Sequence, residues 1–380
     1  MSWPMVKLGD VSEPIMGQAP PGTECNKSGQ GTIFVKAGEF GVKFPEVKEW
    51  TTKPLKFAKT GDTLLCVVGA TCGKVNRAID CSIGRSVAAI RPNTEVLDSS
   101  YLYYFISSWS EKLRLMSQGA AQTVINKDMI NSLEIPLPPI DEQKRIAAIL
   151  DKADAIRQKR KQAIDLADEF LRSAFLDMFG DPVTNPKGWE VKACKDLFKR
   201  ITVGIVVKPS SYYVESGVPA LRSLNIGYYG IRSENLVYVS KSDNESILSK
   251  TRVYEGDLVI VRSGQPGKTA VVCKEFDGVN AIDILIATPK EELIEPQFFA
   301  FFMNSDGGKK IVLAEQRGQV QKHFNVGSLN STAIPLPPLS LQRTFAEIVA
   351  TVYGKYQTNK ATEFNEIFNS ISQKAFSGQL

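Results

Sequence analysis

The hexapeptide Ile135-Pro-Leu-Pro-Pro-Ile140 returns 199 residues later as Ile334-Pro-Leu-Pro-Pro-Leu339, so the chain carries one plan twice and any fold assigned to it must be built twice. The same spacing relates Gly119 to Gly318, Gln122 to Gln321, Asn126 to Asn325 and Ser132 to Ser331. Further upstream, the block Gly61-Asp62 to Gly73-Lys74 matches Gly256-Asp257 to Gly267-Lys268 at offsets of 195 and then 194, a drift that small loop insertions explain. Each half runs through short alternating strands and turns, then a helix, the proline motif and a long helical segment, which predicts a mixed α/β fold. Between these landmarks the halves diverge freely. One scaffold with two different faces suggests two related readers with different targets.

The helices after the proline motifs are the clearest local structure. Pro138-Pro139 cannot continue a preceding helix, Asp141 is the expected N-cap, and apolar residues recur at Ile146, Leu150, Ala153, Ile156, Ile164, Ala167, Leu171, Phe175 and Met178. Gly180-Asp181-Pro182 supplies a C-cap glycine and a breaker, giving a helix over about 141–179, nearly 60 Å at about 1.5 Å per residue. The second copy, over about 340–376, keeps the spacing through Phe345, Val349, Val352, Tyr356, Phe364, Ile367 and Ile371, with a more polar middle at Gln357 to Lys360. A long single stripe needs a partner, and the chain supplies one, so the two helices are expected to pack as an intramolecular antiparallel coiled coil with pseudo-twofold symmetry.

With 380 residues, 43% hydrophobic and 23% charged, the chain can bury a large core in two or three domains. Its apolar runs break before the roughly 18 residues that a membrane span needs, and Met1-Ser2-Trp3-Pro4 does not read as a signal peptide, so a cytoplasmic location is expected. A net charge of +5 is compatible with a polyanionic partner without demanding one. Six cysteines contain no C-x-x-C pair and His323 is the only histidine, so neither a zinc site nor any other cofactor is expected.

The run Ile135 to Asp151, I-P-L-P-P-I-D-E-Q-K-R-I-A-A-I-L-D, preceded by the glycine-aspartate block and followed by a degenerate second copy, resembles the specificity subunit of type I restriction-modification enzymes over nearly the whole chain. The resemblance implies a non-catalytic subunit. Two target-recognition domains, here at 1–134 and 181–333, would each read half of a bipartite double-stranded DNA site. The helical spacers, at 135–180 and 334–380, would separate them and dock two methyltransferase subunits, with restriction subunits as further candidates. Methyl donor, magnesium and ATP would belong to those partners. The second copy departs from the pattern, since Ser340-Leu341-Gln342-Arg343 stands opposite Asp141-Glu142-Gln143-Lys144.

The residues agree in what they lack. Arg262 to Thr269 is a near miss for a phosphate-binding loop, but Gly is missing at 262 and strand rather than helix follows, as suits a glycine-bearing hairpin. No D/N-P-P-Y/F signature for a flipped adenine is present, and the sequence offers no recognisable nucleophile arrangement for His323, which is expected to be an exposed or helix-start polar residue. Candidate DNA contacts are basic and amide side chains on domain loops: Lys36, Lys74, Arg77, Arg85, Gln118 and Gln122 in the first half, and Arg222, Arg262, Lys268, Gln316, Arg317, Gln319 and Lys322 in the second. Each competes with a solvated charge or a turn-stabilising amide, and the basic run Arg157 to Lys161 with a wet helix face. The rival function is a duplicated protein-protein scaffold, which would show no salt-dependent affinity for DNA.

Overall fold

The computed structural model describes residues 3–117, 124–228, 230–315, 323–356 and 359–380. The chain divides into two compact units, Met1–Lys159 with Glu363–Leu380, and Arg160–Thr362.

In unit 1 the strand Thr63–Cys66 lies between Val87–Pro92 and Val75–Arg77, and Ser12–Met16 closes the other edge, all antiparallel. Unit 2 repeats this order with Phe198–Val203, Ile284–Pro289, Leu258–Val261 and Thr269–Val271. A second sheet in each unit, of five short strands in unit 1 and four in unit 2, contains one parallel pair, Thr32–Val35 with Cys81–Ile83 and Val218–Leu221 with Asn280–Ala281. A two-stranded ribbon then ties the start of each domain to its proline motif, pairing Val6 with Ile135 and Lys192 with Ile334. The central strands are buried on both faces and read as Leu-, Val- and Ile-rich runs rather than alternations.

The glycine-aspartate block is the turn that starts the central strand. Asp62 is almost fully buried and accepts Lys59 N–H at 2.9 Å, and Asp257 does the same for Tyr254 N–H at 2.9 Å. Arg262 to Lys268 is a hairpin turn into Thr269–Val271, as the missing helix signal required, with Gly264 and Gly267 at φ of 79° and 85°.

The central helix spans Ile140–Phe179, 40 residues, and ends on Gly180 at φ 80°. It begins one residue before the expected cap: Glu142 and Gln143 N–H donate to the Pro139 carbonyl, which leaves Asp141 and Glu142 in the first turn, where the helix dipole favours acid. The second helical segment appears as Leu339–Tyr356 and Asn359–Phe376. Within unit 1, Arg157 lies over the Phe368 ring at 4.5 Å while Arg145 donates to the Leu380 carbonyl at 3.0 Å, so the two helical pieces run antiparallel. Within unit 2, Phe179 meets Phe345 at 5.5 Å and Tyr353 donates to Asp168 at 3.3 Å, with the same sense. Of the stripe read from the sequence, Ile146 and Leu150 are buried in unit 1 and Leu171 and Phe175 in unit 2, joined there by Phe179, whereas Ile156 is exposed.

Candidate nucleic-acid interface

Because the strands of each unit are short and twisted, their ends converge, and backbone hydrogen bonds fix which loops meet there. In unit 1 the parallel strand Thr32–Val35 delivers Lys36 beside Gly84, whose N–H donates to Val35 at 2.9 Å. The central strand runs on to Val67, which donates to Ser86 at 2.9 Å and accepts from Ile125 at 2.9 Å. Lys36, Arg85 and the end of the segment carrying Gln118 and Gln122 therefore share one edge of the domain. Gln118 and Gln122 themselves lie outside the described residues.

Unit 2 rebuilds that edge with other side chains. The strand Val218–Leu221 delivers Arg222, the central strand ends at Arg262, and the Arg262 carbonyl accepts Phe324 N–H at 3.0 Å, the counterpart of the Val67–Ile125 bond. The Arg262 guanidinium pairs with Asp283, and Ser263 Oγ meets His323 Nδ1 at 2.6 Å. Gln316, Arg317, Gln319 and Lys322 lie in the adjoining segment, outside the described residues.

Lys36 and Arg222 occupy equivalent positions, a correspondence that the repeat offset does not reveal. Each is followed by a tight turn closed by a side chain: Lys36 N–H donates to Glu39 at 2.8 Å and Arg222 N–H to Asn225 at 3.0 Å. The Lys36 ammonium is bonded to Glu49, and that bond chiefly, against the opposing effect of burial, raises its pKa above the ordinary lysine value. Arg222 donates to the Asn235 carbonyl, and the Nε atoms of both Arg222 and Arg262 are buried without a hydrogen-bond partner. Arg85 is exposed.

Two candidates are occupied elsewhere. Lys74 donates to the Phe40 carbonyl at 2.6 Å, and Arg77 donates to Ser100 at 2.7 Å and Asp151 at 2.9 Å while stacking on Tyr103 at 4.6 Å. Arg77 thus faces the central helix, where Asp151 also takes Lys43 at 2.9 Å and the Tyr104 hydroxyl at 2.7 Å. Arg157 of the basic helical run is bonded to Asp154 at 2.6 Å.

Sequence reasoning missed a pair of residues that sets the helix starts. Gln143 is fully buried, accepts Asp98 N–H at 2.8 Å and donates to the carbonyls of Val96 and Pro138, both at 2.8 Å. Gln342 repeats this with Glu295 N–H at 2.9 Å, Leu293 at 3.3 Å and Pro337 at 2.8 Å. The signal was available: of the four residues compared at the helix starts, glutamine alone is common to both copies. The residues about Tyr228 in unit 2 were missed as well. Lys268 and Lys309 place their ammonium groups 4.9 and 5.2 Å from its ring centre. Among the described residues no group of His, Cys, Asp and Glu is disposed to hold a metal, and no helix is long and apolar enough to cross a membrane.

The family model for the type I restriction modification DNA specificity domain matches residues 2–166 and again 186–368. The chain is 36% identical over 181 residues to the putative type I restriction enzyme MjaX specificity subunit of Methanocaldococcus jannaschii, a match covering 46% of this chain and 42% of that relative. Similarity to the MjaVIII specificity subunit of the same organism is 23% over 381 residues, covering 92% and 86% of the two chains. The EcoKI specificity subunit of Escherichia coli is 24% identical over 330 residues, with 79% and 69% covered. In fold, the chain resembles the solved S subunit of a type I restriction-modification system from M. genitalium, with a TM-score of 0.66 at 16% identity, over 99% of this chain and 96% of that one.

Proposed function

Because the chain belongs to the type I restriction-modification DNA specificity family, whose specificity subunits are the non-catalytic components of such systems, we propose that it reads a bipartite site on double-stranded DNA, one half with each unit. The observation that carries this reading is the shared edge. The same backbone hydrogen bonds gather Lys36 and Arg85 in unit 1 and Arg222 and Arg262 in unit 2, so one scaffold presents two different sets of basic side chains. Phosphate contacts from such residues fix register, and base-edge contacts from Arg, Gln and Asn read sequence. Gln118, Gln122, Gln316, Arg317, Gln319 and Lys322, outside the described residues, are the further candidates.

The helices dock two methyltransferase subunits in this reading, with restriction subunits as further partners. Leu166 and Phe170, one turn apart on the central helix, are 64% and 55% exposed, which leaves apolar surface for another chain to cover. Methyl donor, magnesium and ATP come with those partners, and the DNA substrate places the work in the cytoplasm. The test is to exchange residues 1–134 for the corresponding domain of a relative, co-purify the chimera with its methyltransferase and map the methylated adenines. A change in one half-site alone is expected; both half-sites changing together would sink the two-reader model. A flat response of duplex binding to salt would favour the duplicated protein scaffold instead.

A further inference from the structure

The turn that leaves the central strand differs between the units in what its lysine does. In unit 1 the Lys74 ammonium is consumed by the Phe40 carbonyl at 2.6 Å. In unit 2 Lys268 has no carboxylate or carbonyl partner among the described residues and lies over Tyr228 at 4.9 Å. Lys309, from the helix Asp306–Glu315, lies 5.2 Å from the same ring. Its one carboxylate neighbour, Asp306 at 3.5 Å, is itself 90% exposed, so water and salt screen that pair. Arg232 Nε reaches the loop beside Tyr228, 3.7 Å from where a Cβ on Gly227 would stand, and no ion pair of Arg232 exists among the described residues; burial first, and Arg232 second, push the Lys268 ammonium below the ordinary lysine range. Two ammonium groups thus share one aromatic ring with the Arg232 guanidinium beside the adjoining Gly227, and of the two carboxylates that line the same hollow, Asp181 and Asp306, only Asp306 pairs with one of these lysines. Cation–π attraction offsets part of that repulsion, and an anion would relieve the rest.

We propose that Arg232, Lys268 and Lys309 form, around Tyr228, a clamp for one phosphate group of the DNA backbone next to the half-site read by unit 2, with no counterpart at the Lys74 turn of unit 1. The inference rests on the DNA-reading function proposed above. It adds that the grip on the backbone at this turn is one-sided, so the clamp sets affinity and salt dependence for unit 2 without choosing bases.

The experiment measures binding of the full chain to fluorescein-labelled mixed-sequence duplexes of two different sequences, between about 50 and 200 mM salt, for the wild type, the triple variant Arg232→Gln/Lys268→Met/Lys309→Gln and the control Lys250→Gln, an exposed lysine outside the cluster. The triple variant is expected to weaken both duplexes equally and to flatten the plot of log affinity against log salt by about one, the contribution of one neutralised phosphate, while the control leaves the slope unchanged. Equal melting temperatures exclude loss of fold as the cause; if the triple variant melts lower, the single variant Lys309→Gln, at a half-buried helix position, carries the same test. A wild-type slope near zero would overturn DNA reading itself. A normal wild-type slope that the variants share would overturn the clamp alone, and a change in preference between the duplexes would show base reading in place of phosphate binding.

Discussion

Both units fasten domain to helix with aromatic rings, and unit 1 adds a charge network that unit 2 replaces with further rings. In unit 1 Asp151 collects Lys43, Arg77 and the Tyr104 hydroxyl, and Asp154 lies 3.9 Å from the same Lys43 ammonium. In unit 2 the repeat puts Ala350 where Asp151 stands, Tyr353 where Asp154 stands and Phe301 in place of Tyr104. That junction is a cluster of rings: Phe345 lies 5.0 to 5.5 Å from Phe175, Phe179 and Phe301, and Phe179 lies 4.8 Å from Phe298. Unit 1 has rings as well, with Phe376 5.2 and 5.6 Å from Tyr101 and Phe105, but at the central-helix contact it uses charge where unit 2 uses aromatic packing. Burying rings stabilises by removing apolar area from water, whereas a half-buried ion network roughly cancels its own desolvation and contributes mainly direction. Unit 2 is therefore expected to hold its helices firmly, and unit 1 to hold its helix in a defined orientation at lower net gain.

The largest effect should come from breaking the aromatic junction. Phe345→Ala removes a fully buried ring and leaves a cavity, at a cost of about 3–5 kcal/mol, read as a drop in melting temperature of the full chain. No single substitution at the Asp151 network should match it. A loss below about 1 kcal/mol would mean that the rings are not what holds unit 2 together.

Next come the two glutamines, where the units are alike. Gln143→Ala strands the Asp98 N–H and two carbonyls, and Gln342→Ala strands the Glu295 N–H and its own two. Each should cost about 1–3 kcal/mol in denaturant unfolding, and the two costs should agree within about 0.5 kcal/mol if the clamp is one device used twice. Unequal costs would show that the junction chemistry also governs the helix starts.

Asp151→Asn sharpens the contrast through pH. Burial raises the Asp151 pKa, but Lys43, Tyr104 and Arg77 together more than reverse it, and the net shift is downward. A depressed carboxylate contributes stability that is present above its unfolded value of about 3.9 and is lost as pH falls through the lower folded value. Acid below about pH 4 should thus loosen the unit 1 junction, seen as faster amide exchange along residues 145–157, while the Phe175, Phe179, Phe298, Phe301 and Phe345 rings of unit 2 carry no titrating group. Because the side chain is 39% exposed, the substitution should cost only about 1 kcal/mol at neutral pH and should remove this part of the acid response. Unchanged acid sensitivity in Asp151→Asn would assign the response to other carboxylates.

These contrasts also mark how far the sequence could be read. The duplication, the hairpin at Arg262 to Lys268 and the 40-residue helix were legible because proline, glycine and a periodic apolar stripe act locally. The equivalence of Lys36 and Arg222 was not, because it depends on a parallel strand pairing between residues far apart in the chain, Val35 with Ile83 and Leu221 with Ala281. Nor was the employment of Arg77: a basic residue after a glycine-lysine turn reads the same in sequence whether it faces DNA or, as here, Asp151. The Tyr228 cluster needed three separate segments brought together, and the sequence names only one of its cations, Lys268, as a candidate.

The smallest effect should come from exchanging a solution that the units reach differently for the same buried carboxylate. Asp62 is neutralised by Arg91 through two bonds of 3.0 and 2.8 Å, and Arg91 pairs across the sheet with Glu13. Asp257 takes Arg200 at 2.8 Å and the Thr288 hydroxyl at 2.6 Å, and Arg200 pairs with Thr288 at the corresponding cross-strand position. The guanidinium has moved to the neighbouring strand while the carboxylate stayed. Arg91→Thr alone leaves Asp62, with only 3% of its side chain exposed, without its cation and should cost about 3 kcal/mol. Adding Glu13→Arg transplants the unit 2 arrangement, so the double variant should recover to within about 1 kcal/mol of wild type, a coupling of about 2 kcal/mol in a double-mutant cycle. Phe198 and Arg200 flank a register shift in unit 2 that the Ser12–Met16 strand lacks. Failure of the double variant to recover would show that this irregularity aims Arg200 at Asp257, and that the swap of strands depended on it.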